Sequence, residues 1–184
     1  MNKSVSHKRR QSSNGGGGTD QQARQLLNEG ARLLRQRRPQ EAAQYLERAR
    51  QLDPTLIEVV INLGGAYVMQ GRQAEAVAIL EEASHRAPKN VMVWINLAAA
   101  YLGRLETSSD EGQRRAIAAF EQALALDPEA PSVSYNLGLI YKQRGEIEKA
   151  TAHFWRALEV DPADADARIR LQQLGFYDTR SPDD

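Results

Sequence analysis

An all-α repeat architecture is what this sequence predicts, and three observations predict it. A skeleton of small and apolar residues recurs at a fixed interval, its second copy carries helical spacing, and three of its copies close on Asp-Pro. The clearest copy runs from Ile57 to Pro88 and holds Leu63-Gly64, Tyr67, Gly71, Ala76, Leu80, Ala83 and Pro88. Gly30, Ala42, Leu46, Ala49 and Pro54 stand 34 residues before their counterparts in it. Trp94, Leu97, Tyr101, Ala116, Phe120, Ala123 and Pro128 form a third copy, and Leu137-Gly138, Tyr141, Gly145, Ala150, Phe154, Ala157 and Pro162 a fourth. A period of this length decides the fold class before any single element does.

The pattern resembles the tetratricopeptide repeat, whose signature is W-x2-L-G-x2-Y, then A-x3-F, then P. Trp94-Ile95-Asn96-Leu97-Ala98-Ala99-Ala100-Tyr101 matches it except that Ala98 replaces the glycine. Four copies in register cover about residues 22–162. The resemblance implies a right-handed α-solenoid of four helix-turn-helix repeats with a C-terminal capping helix, and a chain that holds other proteins. The expected organisation is a basic, Gly-rich tail over 1–19 and repeats over about 22–54, 57–88, 91–128 and 131–162. A capping helix follows over 163–175, then an acidic tail over 176–184.

Residues 1–19 end in Gly15-Gly16-Gly17-Gly18 and hold little apolar surface to offset the entropy of ordering, so the expectation there is disorder. Residues 1–38 hold nine Lys/Arg against Asp20 and Glu29, an excess of +7 that the rest of the chain balances. A basic arm suits nucleic acid or acidic lipid; it equally suits a solvated tail and the polar outer face of a first repeat. In that first repeat Glu29 stands where later copies have leucine, Leu33 replaces the tyrosine, and Arg37-Arg38-Pro39 replaces the glycine turn. A terminal repeat has one side in water, where polar replacements cost little. Asp20 is the candidate cap of its first helix.

In the second repeat the first helix is apolar on two faces, Val60, Leu63, Gly64 and Tyr67 on one and Ile61, Gly65 and Val68 on the other. Such a helix is sandwiched or lines a groove. The second helix is amphipathic, with Ala76, Leu80 and Ala83 inward. First helices therefore belong on the inner curve and second helices on the outer, with Gly64 and Ala76 allowing close approach. The third repeat carries six extra residues within 103–112, since Tyr101 to Ala116 spans fifteen residues where Tyr67 to Ala76 spans nine. Such an insertion is either a partner-touching loop or a tolerated surface loop. Trp155 in the fourth repeat reads as packing or as a binding aromatic. Asp164 can cap a last helix over Ala165 to Leu174, which Gly175 ends. The pairs Asp53-Pro54, Asp127-Pro128 and Asp161-Pro162 stop the second helices, because proline disfavours helical geometry in the residue before it.

Composition narrows the chemistry. Zero formal net charge gives no bulk field that would favour nucleic acid. The absence of cysteine removes disulfides, thiolate metal sites and a cysteine nucleophile. No apolar run approaches the roughly 20 residues that span a bilayer, and the N-terminus lacks the apolar stretch of a secretory signal. The expected location is cytoplasmic. His7, His85 and His153 have no ligand spacing around them, and Gly15 to Gly18 lacks the lysine of a phosphate loop. No metal, cofactor or small-molecule substrate and no catalytic group is expected, so the chain reads as a non-enzyme.

One constellation stands out. Asparagine precedes the Leu-Gly pair or its equivalent in every copy, as Asn28, Asn62, Asn96 and Asn136. Stacked repeats would align these amides as a ladder able to pair with a peptide backbone. This is similar to the asparagine ladder in the tetratricopeptide domain of the sugar transferase that modifies nuclear proteins. The other reading is bonds between repeats only. Leu27, Ile61, Val68, Met92, Ile95, Leu102, Tyr135 and Leu139 would line the groove around them. In chaperone-binding members a carboxylate clamp of cations and asparagines fills this groove; Asn62 and Asn96 match two of its places, but Leu27 and Met92 take the cationic ones. The expected partner is therefore a peptide or helical segment of another protein held in an apolar concave groove. A self-associating scaffold working through the outer face or ends is the second reading, and an adaptor working through the basic arm the third.

Overall fold

The structure is a computed structural model and describes residues 16–130 and 132–176. Of the expected tails over 1–19 and 176–184, residues 1–15 and 177–184 lie outside the described residues, and residues 16–19, expected to be disordered, instead form the first turn of a helix. Nine α-helices and no strand occur among the described residues. They pair as α1 (Gly16–Arg35) with α2 (Pro39–Leu52), α3 (Ile57–Met69) with α4 (Gln73–Arg86), α5 (Val91–Leu102) with α6 (Asp110–Leu126), and α7 (Val133–Gln143) with α8 (Ile147–Val160). α9 (Ala165–Gln173) packs on α8. Each pair packs within itself and on the next, which makes the fold an α-solenoid.

The recurring residues explain the pairing. Ala42, Leu46 and Ala49 on α2, Ala76, Leu80 and Ala83 on α4, Ala116, Phe120 and Ala123 on α6, and Ala150, Phe154 and Ala157 on α8 are all buried. Each long side chain lies against the small residue of its partner helix. A Cβ added at Gly30 would sit 2.5 Å from Leu46 Cγ, at Gly64 2.6 Å from Leu80 Cγ, and at Gly138 2.6 Å from the Phe154 ring. These glycines set how closely the two helices of a repeat approach.

The helix ends are built alike. At the end of α3, Gly71 (φ 74°) lets the Arg72 N–H reach Tyr67 O at 2.9 Å, and Gly145 (φ 75°) does the same for Glu146 and Tyr141. In the first repeat Arg37 takes this left-handed place with φ 57°. The Asp-Pro stops have a second function: Asp53, Asp127 and Asp161 each accept, on Oδ1, the N–H two residues on, from Thr55, Glu129 and Ala163. That side-chain turn redirects the chain into the next repeat. Asp164 caps α9 by accepting from Ala167 N at 2.9 Å. Asp20, by contrast, lies inside α1, which begins at Gly16, so it is not that helix's N-terminal cap.

The insertion is ordered. Gly103 ends α5, Leu105–Thr107 form a single 3-10 turn that packs on α7, and Ser109 caps α6 by accepting from Gly112 N. Leu105 joins the apolar cluster of the last two repeats. Asp110 ion-pairs with Arg114 on its own helix and, at 2.7 Å, with Arg144 in the turn between α7 and α8. The extra residues thus brace the third repeat against the fourth.

Candidate partner-binding face

The odd-numbered helices form one side of the stack, where α1 touches α3 and α3 touches α5. The even-numbered helices pack behind them and are called the outer helices. Each odd-numbered helix presents one stripe, with residues spaced by four and then three: Leu27, Ala31 and Leu34 on α1; Ile61, Gly65 and Val68 on α3; Ile95, Ala99 and Leu102 on α5; Tyr135, Leu139 and Lys142 on α7. Leu27, Ala31, Leu34, Gly65, Val68, Ile95, Ala99, Leu102, Leu139 and Lys142 are all half-buried, so they offer surface while resting on the core. Met92, 50 % exposed, extends the α5 stripe by one turn.

Ile61 departs from the expected lining. It is only 7 % exposed and belongs to the core of the first two repeats. The reason is the neighbouring helix: α5 lies against α3, and Asn96 on α5 donates Nδ2 to Ile61 O at 3.2 Å. Ile95 stays more open, since the insertion's 3-10 turn rather than α5 is what packs prominently on α7. Tyr135 is half-buried, its ring 5.8 Å from that of Phe154 and its hydroxyl accepting from Arg170 Nε at 3.4 Å.

The four asparagines do not behave alike. Asn62 and Asn136 each donate Nδ2 to a carbonyl of their own helix, Glu58 O and Ser132 O, at 2.9 Å. Asn96 bridges repeats, as above. Asn28 is exposed on the first helix. In Asn62 and Asn136 the bonded atom is the amide nitrogen, which leaves the carbonyl oxygen directed elsewhere for an acceptor role.

Sequence reasoning placed Gly65 on this face of its helix but missed that Ala31 and Ala99 continue it as a small central row. A Cβ at Gly65 would meet Asn96 Nδ2 at 3.6 Å, an ordinary contact distance, so this glycine has room for a side chain where Gly64 does not. The repeat spacing itself could have found the row, since it lies four residues after each lining residue already chosen. The outer helices differ in kind. Their charged faces are laced by ion pairs such as Arg50–Glu82, Arg86–Glu82 and Arg115–Glu81. Such exposed pairs keep a surface solvated and contribute little stability. No group of His, Cys, Asp or Glu among the described residues could hold a metal ion, and no described helix is long and apolar enough to cross a membrane.

Comparison with known proteins agrees with this geometry. Family models described as tetratricopeptide repeat match residues 33–101 and 131–164, and one described as TPR repeat matches 114–143. No curated protein matches the chain. Among solved structures it is similar to MamA, from residue 41 to the end, of Desulfovibrio magneticus RS-1: 22 % identity, 78 % of this chain and 77 % of that one, TM-score 0.65. It is similar to a tetratricopeptide repeat protein of Parabacteroides merdae ATCC 43184 at 24 % identity, over 81 % of this chain and 57 % of that one, TM-score 0.63. The first TPR domain of human RPAP3 shares 19 % identity over 70 % of this chain and 97 % of its own, TM-score 0.61. Helix pairs, small-residue contacts and matched models fall in one register, and the chain therefore belongs to the tetratricopeptide repeat family, whose fold is typical of protein–protein interaction modules.

Proposed function

We propose that this protein is a non-enzymatic binding module that holds a segment of a partner protein along its inner wall. One observation carries the reading. The odd helices keep apolar side chains half-exposed in a stripe along their length, while on the outer helices the exposed apolar residues other than Trp155 stand at helix ends (Leu52, Leu126, Ile147 and Val160) and ion pairs lace the faces between. Leaving Leu27, Ile95, Leu102 and Leu139 partly in water forgoes about 25 cal/mol for each Å² still exposed, a cost that an occupant would recover. The small row Ala31–Gly65–Ala99 forms the floor and the flanking rows form the sides. The carbonyl oxygens of Asn62 and Asn136, with Asn28, supply backbone-directed hydrogen bonds; Asn96 is committed to Ile61 and holds the wall together.

The test is to fill the floor without touching the core. Gly65→Gln with Ala99→Gln projects two side chains into the trough, and the small-residue contacts behind it stay intact. Peptide-array binding should be lost in this variant while its circular dichroism and melting temperature stay close to wild type. Undiminished binding would remove the inner wall from the account. A scaffold acting through its N-terminal end has less support, because Glu29, paired with Arg32, stands where later repeats have leucine.

A further inference from the structure

The inner stripe does not stay apolar to its end. α9 stands where the first helix of a fifth repeat would stand: Ile169, Arg170 and Gln173 follow Tyr135, Asn136 and Leu139 by 34 residues. Arg170 thus takes the asparagine place. It reaches back to the residue 35 positions earlier, as Asn96 does, with Nε on the Tyr135 hydroxyl at 3.4 Å. Its Nη1 donates to Gln173 Oε1 at 3.2 Å, and Lys142 Nζ donates to the same oxygen, also at 3.2 Å. Two cations from two helices therefore share one neutral acceptor. Neither makes an ion pair among the described residues, in a protein where Arg32, Arg38, Arg50, Arg72, Arg115 and Arg144 all do. Two like charges held together on a neutral amide oxygen repel, and a carboxylate placed between them would relieve that repulsion while accepting from both.

Apolar surface resumes beyond the cations. Ile169, which follows Tyr135 by 34 residues, is 45 % exposed, and Phe176, just past the end of α9, is 52 % exposed. The sequence of surfaces along the wall is apolar over three repeats, cationic at Lys142 and Arg170, then apolar again. Resting on the binding role given above, we propose that the partner segment is an apolar one interrupted by a single aspartate or glutamate side chain near one end. That carboxylate sits between Lys142 and Arg170, and the residues beyond it rest on Ile169 and Phe176. Packed helices lie about 8–10 Å apart, so five first helices, not all in direct contact, span at least about 36 Å, which an extended chain at about 3.3 Å per residue covers with at least roughly eleven residues.

The probe is a bead-bound random dodecapeptide library, prepared with amidated and with free C-termini and screened against the full chain. The result expected is selection of apolar sequences with one internal acid at a fixed distance from one end, in both forms of the library. A Lys142→Gln/Arg170→Gln variant, both changes being at the surface, should still select apolar sequences but lose its preference for the acid by about tenfold or more, the scale of a charge-assisted bond. Apolar selection by wild type without an acid preference overturns this inference and leaves the groove standing. An acid preference confined to free C-termini overturns it in favour of a terminal carboxylate. If a chain lacking residues 177–184 shows the acid preference and the full chain does not, the protein's own acidic tail is the occupant and the inference again fails. No selection by any form removes the groove and this inference together.

Discussion

The Tyr67 hydroxyl on α3 donates to Glu47 Oε1 on α2 at 2.8 Å. Tyr101 repeats the bond to Glu81, again at 2.8 Å and again to a residue twenty positions earlier. A cation covers each ring, Arg72 at 4.1 Å and Arg115 at 3.9 Å from the centroid. The insertion displaces the turn that supplies Arg72 in the second repeat, so Arg115 on α6 does the covering in the third. Burial, and then the bond to glutamate, holds both phenols above their ordinary pKa. Tyr141 departs from the pattern: its ring stacks on His153 at 5.4 Å, and its hydroxyl makes no hydrogen bond among the described residues.

Tyr67→Phe should therefore lower stability by about 1–2 kcal/mol, the worth of a bond to a charged acceptor that is partly solvated. Tyr141→Phe should cost less than about 0.5 kcal/mol, having no such bond to lose. Urea denaturation of the two variants separates the roles; equal losses would show that the hydroxyl bonds carry no stability.

Gly64 and Gly65 are adjacent and should respond oppositely to alanine. At Gly64 the new methyl meets Leu80, which is fully buried and has nowhere to move. Overpacking costs about 1–3 kcal/mol against a helix-propensity gain of about 1 kcal/mol, so the net change is a loss of up to about 2 kcal/mol. Gly65→Ala meets no close neighbour and should gain up to about 1 kcal/mol. Thermal melts of both variants check the ordering.

Arg37 adopts the left-handed conformation that Gly71 and Gly145 take in the later repeats. A side chain there costs on the order of 1 kcal/mol or more, and glycine returns part of that gain as unfolded-chain entropy. Arg37→Gly should raise the urea midpoint by the equivalent of about 0.5 kcal/mol. A fall would show that the Arg37 side chain contributes more than its backbone strain.

His153 responds to pH. Its Nδ1 is buried without a partner, burial and then the charge of Arg156 hold its pKa below the ordinary value of 6.5, and Lys149 Nζ lies 5.1 Å from the centroid of the Tyr141 ring on which the imidazole stacks. The unfolded chain binds a proton near 6.5 while the folded chain resists it. Stability is thus complete above that pH, and is lost as pH falls from about 6.5 to the folded value. His153→Gln should flatten this part of the profile. Asp53, Glu29, Glu75 and Glu146, whose pKa values their partners lower, act only at more acid pH. An unchanged slope between pH 7 and 5.5 in His153→Gln would contradict the assignment.

The asparagines divide by what they bond. Asn96→Ala removes a bridge between α3 and α5 and leaves Ile61 O without that donor, a loss of about 1 kcal/mol. Asn62→Ala and Asn136→Ala remove only bonds within their own helices and should leave stability within about 0.5 kcal/mol. Their effect should appear in peptide affinity instead. Paired melts and anisotropy titrations with a library-selected peptide distinguish the two behaviours.

Much of this was legible in the residues. The 34-residue recurrence, the Asp-Pro stops, the Asp164 cap and the buried Ala/Leu/Phe rows are local signals, and each is satisfied by contacts within one helix pair. What was not legible depends on neighbouring pairs. Ile61 and Ile95 occupy one register place, yet one is core and the other surface, because the insertion changes what lies beside α5. Asn96 and Asn62 have the same sequence context and different partners, Ile61 O on the preceding repeat for one and Glu58 O on its own helix for the other. The start of α1 at Gly16 runs against glycine's helix propensity. The pairing of Lys142 with Arg170 joins residues from α7 and a helix with no full repeat of its own, so no pattern within a repeat announces it.

The measurement that bears most directly on the account is a map of backbone amide shifts in labelled protein titrated with a library-selected dodecapeptide. The largest changes are expected along α1, α3, α5 and α7, at Leu27, Gly65, Ile95, Ala99, Leu102 and Leu139. Changes confined to the outer helices α2, α4, α6 and α8 would contradict it.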